Sequence, residues 1–228
     1  MEFSLLAAAA IATGAFWLML RWEAKRGNAA GCALNLWDAG LTAAIGGVFV
    51  GRLFSMLSAG INPLTDPGQI LLVRSGVSTV GATVGAFAVF AFLGRRELVT
   101  SADAIAPSAL AALAGWHAGC LATSGCLGTE TTLAWGMTLE GSSITRHPVE
   151  VYAAIGLALA AAGIALWKQH GRPPASAPFG LALAAAAGVR LATEPMRISL
   201  DGGPTVFYAV GLALGLAIAV LAMVRARS

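Results

Sequence analysis

Seven stretches of this chain are long and apolar enough, or nearly so, to cross a lipid bilayer. They lie near 3–20, 39–59, 76–93, 104–122, 149–167, 178–194 and 204–224. A helix needs roughly 20 residues to span the hydrocarbon core. Composition agrees with that reading. Of 228 residues, 57% are hydrophobic and 11% charged, whereas a soluble domain carries about 25% charged residues. The expected fold is all-α: a polytopic bundle of seven transmembrane helices forming a single membrane domain over 1–228.

Basic residues collect in cytoplasmic loops and so orient such a bundle. Arg21, Lys25 and Arg26 follow the first segment, and Arg95 and Arg96 follow the third. Lys168 and Arg172 follow the fifth, and Arg225 and Arg227 the seventh. All fall at alternate junctions, which puts the N-terminus outside and the C-terminus in the cytoplasm. The first segment opens on Met1-Glu2 with its positive charge behind it. A cleaved signal peptide has the opposite polarity, so an uncleaved helix is expected. The formal net charge of +3 reflects topology. Nothing points to nucleic acid as a partner.

Five arginines remain: Arg52, Arg74, Arg146, Arg190 and Arg197. Each lies within a segment or near the outer face, where an ionised side chain is costly and marks a polar cavity or a partner. Snorkelling to the interface is the competing account for Arg74 and Arg197. The 28 glycines, many in segments two to four, suit close helix packing.

Reactive side chains concentrate in "GWHAGCLATSGCLGTETTLAWGM", residues 115–137, and in "RHPVEVY", residues 146–152. His117 and Cys120 are spaced i, i+3 and share a helix face. Three readings of His117, Cys120 and Cys126 stand open: a metal site, a disulfide between Cys120 and Cys126, or small thiols packed in a helical interior. We expect the two cysteines to be unbridged. No cofactor is implied, since there is neither a Gly-rich nucleotide loop nor a convincing metal set.

"RHPVEVY" resembles the Arg-His-Pro-x-x-x-Tyr signature of the bacterial prolipoprotein diacylglyceryl transferases. "SADAIAPSALAALAGWHAGCLATSGCLGTE" is similar to the family's D-x-I-A-P helix and the Gly-rich turn after it. "GVFVGRLFSML" and "GVRLATEPMR" look like its Gly-Arg helix and its Arg-x-x-x-Glu-x-x-Arg helix. The order matches and the resemblance spans most of the chain. It implies transfer of the diacylglyceryl group of phosphatidylglycerol to a cysteine thiol of a prolipoprotein, in the bacterial inner (plasma) membrane. It also departs from the family at several places. The family's arginine in the Gly-rich turn is His117 here and its asparagine is Cys120. Its third-segment histidine is absent from "SGVSTVGATVG", and its signature glutamine is Glu150.

On this resemblance the catalytic candidates are His147, His117, Glu150 and Cys120. The substrate-binding candidates are Arg52, Arg146, Tyr152, Arg190, Glu194 and Arg197, because guanidinium forks suit phosphate. Arg190 and Glu194 share a helix face at i, i+4. Arg146 and His147 precede Pro148 at a helix N-terminus, which favours an anion. His117, Cys120, Arg52 and His147 are expected to face one central cavity. A different class of function stays open: a non-catalytic lipid-binding accessory subunit of a membrane complex, or a thiol-redox protein using Cys120 and Cys126.

Overall fold

The computed structural model describes residues 2–29, 31–65, 67–71, 76–122, 127–139, 141–198 and 203–228. The main elements are the helices α1 (Glu2–Lys25), α2 (Leu36–Ser58), α3 (Gly68–Leu71), α4 (Thr79–Leu93), α5 (Leu98–Ala118), α6 (Val149–Gly171), α7 (Ala177–Thr193) and α8 (Thr205–Arg225). Two short strands, β1 (Met137–Thr138) and β2 (Thr145–Arg146), pair antiparallel between α5 and α6. Among the described residues, α2, α5, α6 and α8 are long and apolar enough to cross a membrane, and α4 is a shorter apolar helix. The chain is a multi-pass membrane protein.

It divides into two compact units, one of residues 31–101 and one of residues 1–30 with 102–228. In the smaller unit α2 and α4 meet backbone to backbone. Gly47 and Gly51 of α2 face Gly81 and Gly85 of α4. A Cβ on Gly47 would sit 2.7 Å from the Ala82 carbonyl, and one on Gly81 would sit 3.0 Å from Gly51 Cα. Small residues four apart on both helices permit that approach, which dispersion then stabilises. Side-chain oxygens of Asn35 and Ser78 cap the two helix starts.

The larger unit packs α1, α5, α6, α7 and α8 around an alanine-rich core that includes Ala106, Leu110, Leu157 and Ala161. Gly115 and Gly119 of the α5 end lie on Ala12 and Ala8 of α1. Gly180 of α7 meets Gly215 of α8 in the same manner.

Pro107 lies inside α5 and has no N–H to offer the carbonyl of Asp103. The Lys168 ammonium fills the gap at 3.0 Å from that oxygen, while it pairs with the fully buried Glu23. The Asp103 carboxylate turns the other way and accepts from Ser176 N (2.7 Å) and Phe179 N (2.9 Å), capping α7 from a different helix. The sequence places Lys168 just beyond the fifth segment, among the basic residues of a cytoplasmic junction. It lies within α6, which runs on to Gly171, and its side chain is 7% exposed.

Candidate active site

Three backbone hydrogen bonds bring the start of α6 and the end of α7 together. Gly128 N donates to His147 O at 2.8 Å, His147 N to Thr129 O at 2.9 Å, and Thr129 N to Met196 O at 2.8 Å. Gly128 is buried, and a side chain there would overlap the Met196 carbonyl and Val149. The position requires glycine.

His117 occupies the last turn of α5, where the packing of Gly115 and Gly119 against α1 sets its place. Its Nδ1 bonds to Oε2 of Glu150, in the first turn of α6. The second oxygen of Glu150 takes Nη1 of Arg197. Arg197 also reaches Glu194 at 3.8 Å, and Glu194 lies 3.6 Å from Arg190. Arg190 in turn donates to the Tyr208 hydroxyl from Nε (3.3 Å) and Nη2 (3.1 Å), with its guanidinium 5.3 Å from the Tyr208 ring centre. His117, Glu150, Arg197, Glu194, Arg190 and Tyr208 thus form one chain of contacts across α5, α6, α7 and α8. Two guanidinium groups stand against two carboxylates.

The short β-ladder leads Arg146 elsewhere. Its guanidinium donates to Gly128 O at 3.2 Å and pairs at 3.7 Å with the exposed Glu130. His147 contacts Tyr152 edge-on, with Nδ1 3.5 Å from the hydroxyl. That hydroxyl accepts from Trp135 Nε1 at 2.9 Å. Arg52 belongs to the smaller unit, where it is buried and donates to Gly76 O (2.8 Å) and Gln69 O (2.7 Å). Arg74 and Cys126 lie outside the described residues.

One expectation is overturned. Cys120 is disulfide-bonded, so it holds no thiolate and cannot act as a nucleophile or base. Cys32 is free, and burial pushes its thiol up from the usual range, with a hydrogen bond from the Leu34 backbone opposing the rise and Glu97 adding to it.

Tyr208 and the close approach of Gly203 to Glu194 Oε1 escaped the sequence reading. A signal existed for the first. The chain has two tyrosines, and one sits in the most apolar segment, where a phenol needs a buried partner.

The geometry joins three of the segments that carry the family's signatures, those ending α5, opening α6 and ending α7, and comparison with known families decides the matter. The sequence model of the prolipoprotein diacylglyceryl transferases matches residues 1–226. The chain belongs to that family. No curated protein matches it. Membership in the prolipoprotein diacylglyceryl transferase family implies that transferase activity and a part in lipoprotein biogenesis, with a phospholipid donor and a prolipoprotein substrate.

Proposed function

We propose that this chain transfers the diacylglyceryl group of phosphatidylglycerol to a lipobox cysteine, with the His117–Glu150 pair as its general base. The observation that carries the reading is the double grip on Glu150. One oxygen holds His117 Nδ1 and the other holds Arg197. A carboxylate fixed this way keeps the proton on Nδ1 and leaves Nε2 with a free lone pair for a substrate proton.

The chemistry then balances. The acceptor thiol gives its proton to His117 Nε2, and the sulfur attacks the glyceryl carbon that bears the phosphate ester. A C–S bond forms, the C–O bond breaks, and glycerol phosphate leaves with the electron pair. Its added negative charge needs cationic donors. Arg190 is the main one: its Nη1 is buried without a hydrogen-bond partner among the described residues. Arg146 supplies a second cation once Glu130, which is 67% exposed, is displaced. Tyr152 and His147 orient the head group. Glu194 and Arg197 hold the frame, and Cys120 takes no chemical part. The site sits on the outer side of a bacterial inner membrane, in a seven-span arrangement with the N-terminus outside and the C-terminus in the cytoplasm.

The test is transfer of labelled glycerolipid from phosphatidylglycerol to a lipobox peptide, using this chain in cells that lack their own transferase. His117→Ala should lower transfer by about 10²–10⁴-fold, and Arg190→Ala should abolish donor binding. Arg95→Ala should leave both intact. Lipid binding without any transfer by the native chain would overturn the reading and leave an accessory lipid-binding role.

A further inference from the structure

Between Thr131 and Leu139 the chain reads "TTLAWGMTL", with no charged residue. Its large side chains recur at every second position: Leu133 and Trp135 belong to a turn closed by the Gly136 N to Leu133 O hydrogen bond (2.9 Å), and Met137 opens β1. Leu133 (39%), Trp135 (61%), Met137 (39%) and Leu139 (38%) are all exposed. The hydroxyl-bearing Thr131, Thr132, Ser143 and Thr145 line a separate shallow depression. A loop segment that shows its whole apolar row to the surroundings is not held together by that row. Something else covers it.

Trp135 fixes where the row sits. Its Nε1 donates to Tyr152 OH, one turn into the membrane helix α6. Tyr152 shares a sector of α6 with Ile155, Leu159 and Leu166, since positions three, seven and fourteen residues on return to the same face. Ile155 is 54% exposed, Leu159 68% and Leu166 49%. In a helix that crosses a bilayer, this stripe faces lipid. The apolar row of the hairpin therefore begins where the lipid-facing stripe of α6 ends.

We propose that the 133–139 edge of the hairpin is seated in the head-group boundary of the bilayer, with Trp135 as its anchor. The indole polar atom is already satisfied by Tyr152, so moving the ring out of water strands no donor. Depth is bounded by the backbone. The open edge of a two-stranded ladder keeps unpaired N–H and C=O groups, which the hydrocarbon core does not tolerate, so the segment stops at the interface. The seating holds the loop leading into Arg146 and His147 at head-group depth. The inference rests on α6 spanning the membrane and is independent of the transfer chemistry.

The full chain is reconstituted in phosphatidylcholine bilayers whose acyl chains are brominated either near the head group or near the chain end. The emission of Trp135 is taken as the difference between the native protein and Trp135→Phe, which keeps a ring of similar shape. Trp135 emission should be quenched more by the shallow bromines than by the deep ones and should be shielded from aqueous iodide. Strong iodide quenching with no response to brominated lipid would overturn the proposal and leave the row in water. Shielding that appears only when a lipobox precursor peptide is added would also overturn it, and would make the row a polypeptide-binding surface.

Discussion

The Tyr208 hydroxyl takes two N–H donors of Arg190, and the ring lies beside the same guanidinium. Tyr208→Phe keeps the ring and leaves those donors unmet. A hydrogen bond to a charged group is worth about 1.5–3 kcal/mol. Arg190 is 17% exposed, so water recovers part of that and the lower end applies. Because Tyr208 positions Arg190 and touches no reacting atom, the variant should raise the KM for the phospholipid several-fold while kcat changes little. Steady-state transfer kinetics separate the two. The cysteines give a second residue-level outcome. Cys32 keeps its proton at neutral pH because burial raises its thiol above the ordinary range. It should therefore alkylate more slowly than a free peptide thiol and speed up as pH rises further. Cys120 should label after reduction and not before, and mass analysis of the labelled peptides checks both. Much of this site was legible as motif. Arg190, Glu194 and Arg197 stand in their signature spacing, and His117 and Glu150 stood out as departures from it. What the motif could not carry was pairing. That Glu150 joins His117 to Arg197 depends on three helix ends meeting at Gly128 and Met196, and no local pattern encodes that meeting.

The helices themselves were readable from apolar length, and close packing among them from the abundance of glycine, because both are properties of single elements. Which helices cross, through glycines four apart in α2 and α4, was not readable. Nor was the polar cluster beneath them. Pro107 frees the Asp103 carbonyl, and the group that satisfies it comes from Lys168, 65 positions away. Lys168 read as a topological charge because a lysine at a helix end is usually solvated. Here Glu23, 0% exposed, draws it inward. Removing one partner of a buried ion pair costs about 3–5 kcal/mol, because the other charge is left buried and unpaired. Lys168→Met should therefore destabilise the larger unit by that order and also strand the Asp103 carbonyl. Lys168→Met combined with Glu23→Gln should recover part of the loss, since the uncompensated carboxylate is gone while the carbonyl stays unmet. Thermal unfolding in detergent distinguishes the three proteins. Transfer activity per folded molecule should be unchanged in the double variant, because this cluster lies apart from His117 and Glu150.

Over the whole molecule, the basic residues sort by exposure into two groups. Arg21, Lys25, Arg26, Arg95, Arg96, Arg172, Arg225 and Arg227 are all exposed. They lie at the α1 end, between α4 and α5, after α6, and at the α8 end. Arg146, Arg190 and Arg197 are half-buried and engaged with carboxylates near the α6 start and the α7 end. Solvated cations orient a membrane protein by resisting translocation, whereas cations committed to a site contribute less to that bias. Discounting the buried Lys168 leaves eight exposed cations at the ends of α1, α6 and α8 and between α4 and α5, whereas the candidate active site is built from the end of α5, the start of α6 and the end of α7. That division predicts opposite sides for two loops. A phosphatase reporter that is active only outside the cytoplasm should be silent when fused after Arg96 and active when fused within 141–144. Replacing Arg95 and Arg96 together by glutamine should weaken the bias and raise activity at the first site without lowering it at the second. An active reporter after Arg96 in the native chain would place the His117–Glu150 pair on the cytoplasmic side. A secreted precursor presents its lipobox cysteine on the other side, so the proposed acceptor would be out of reach.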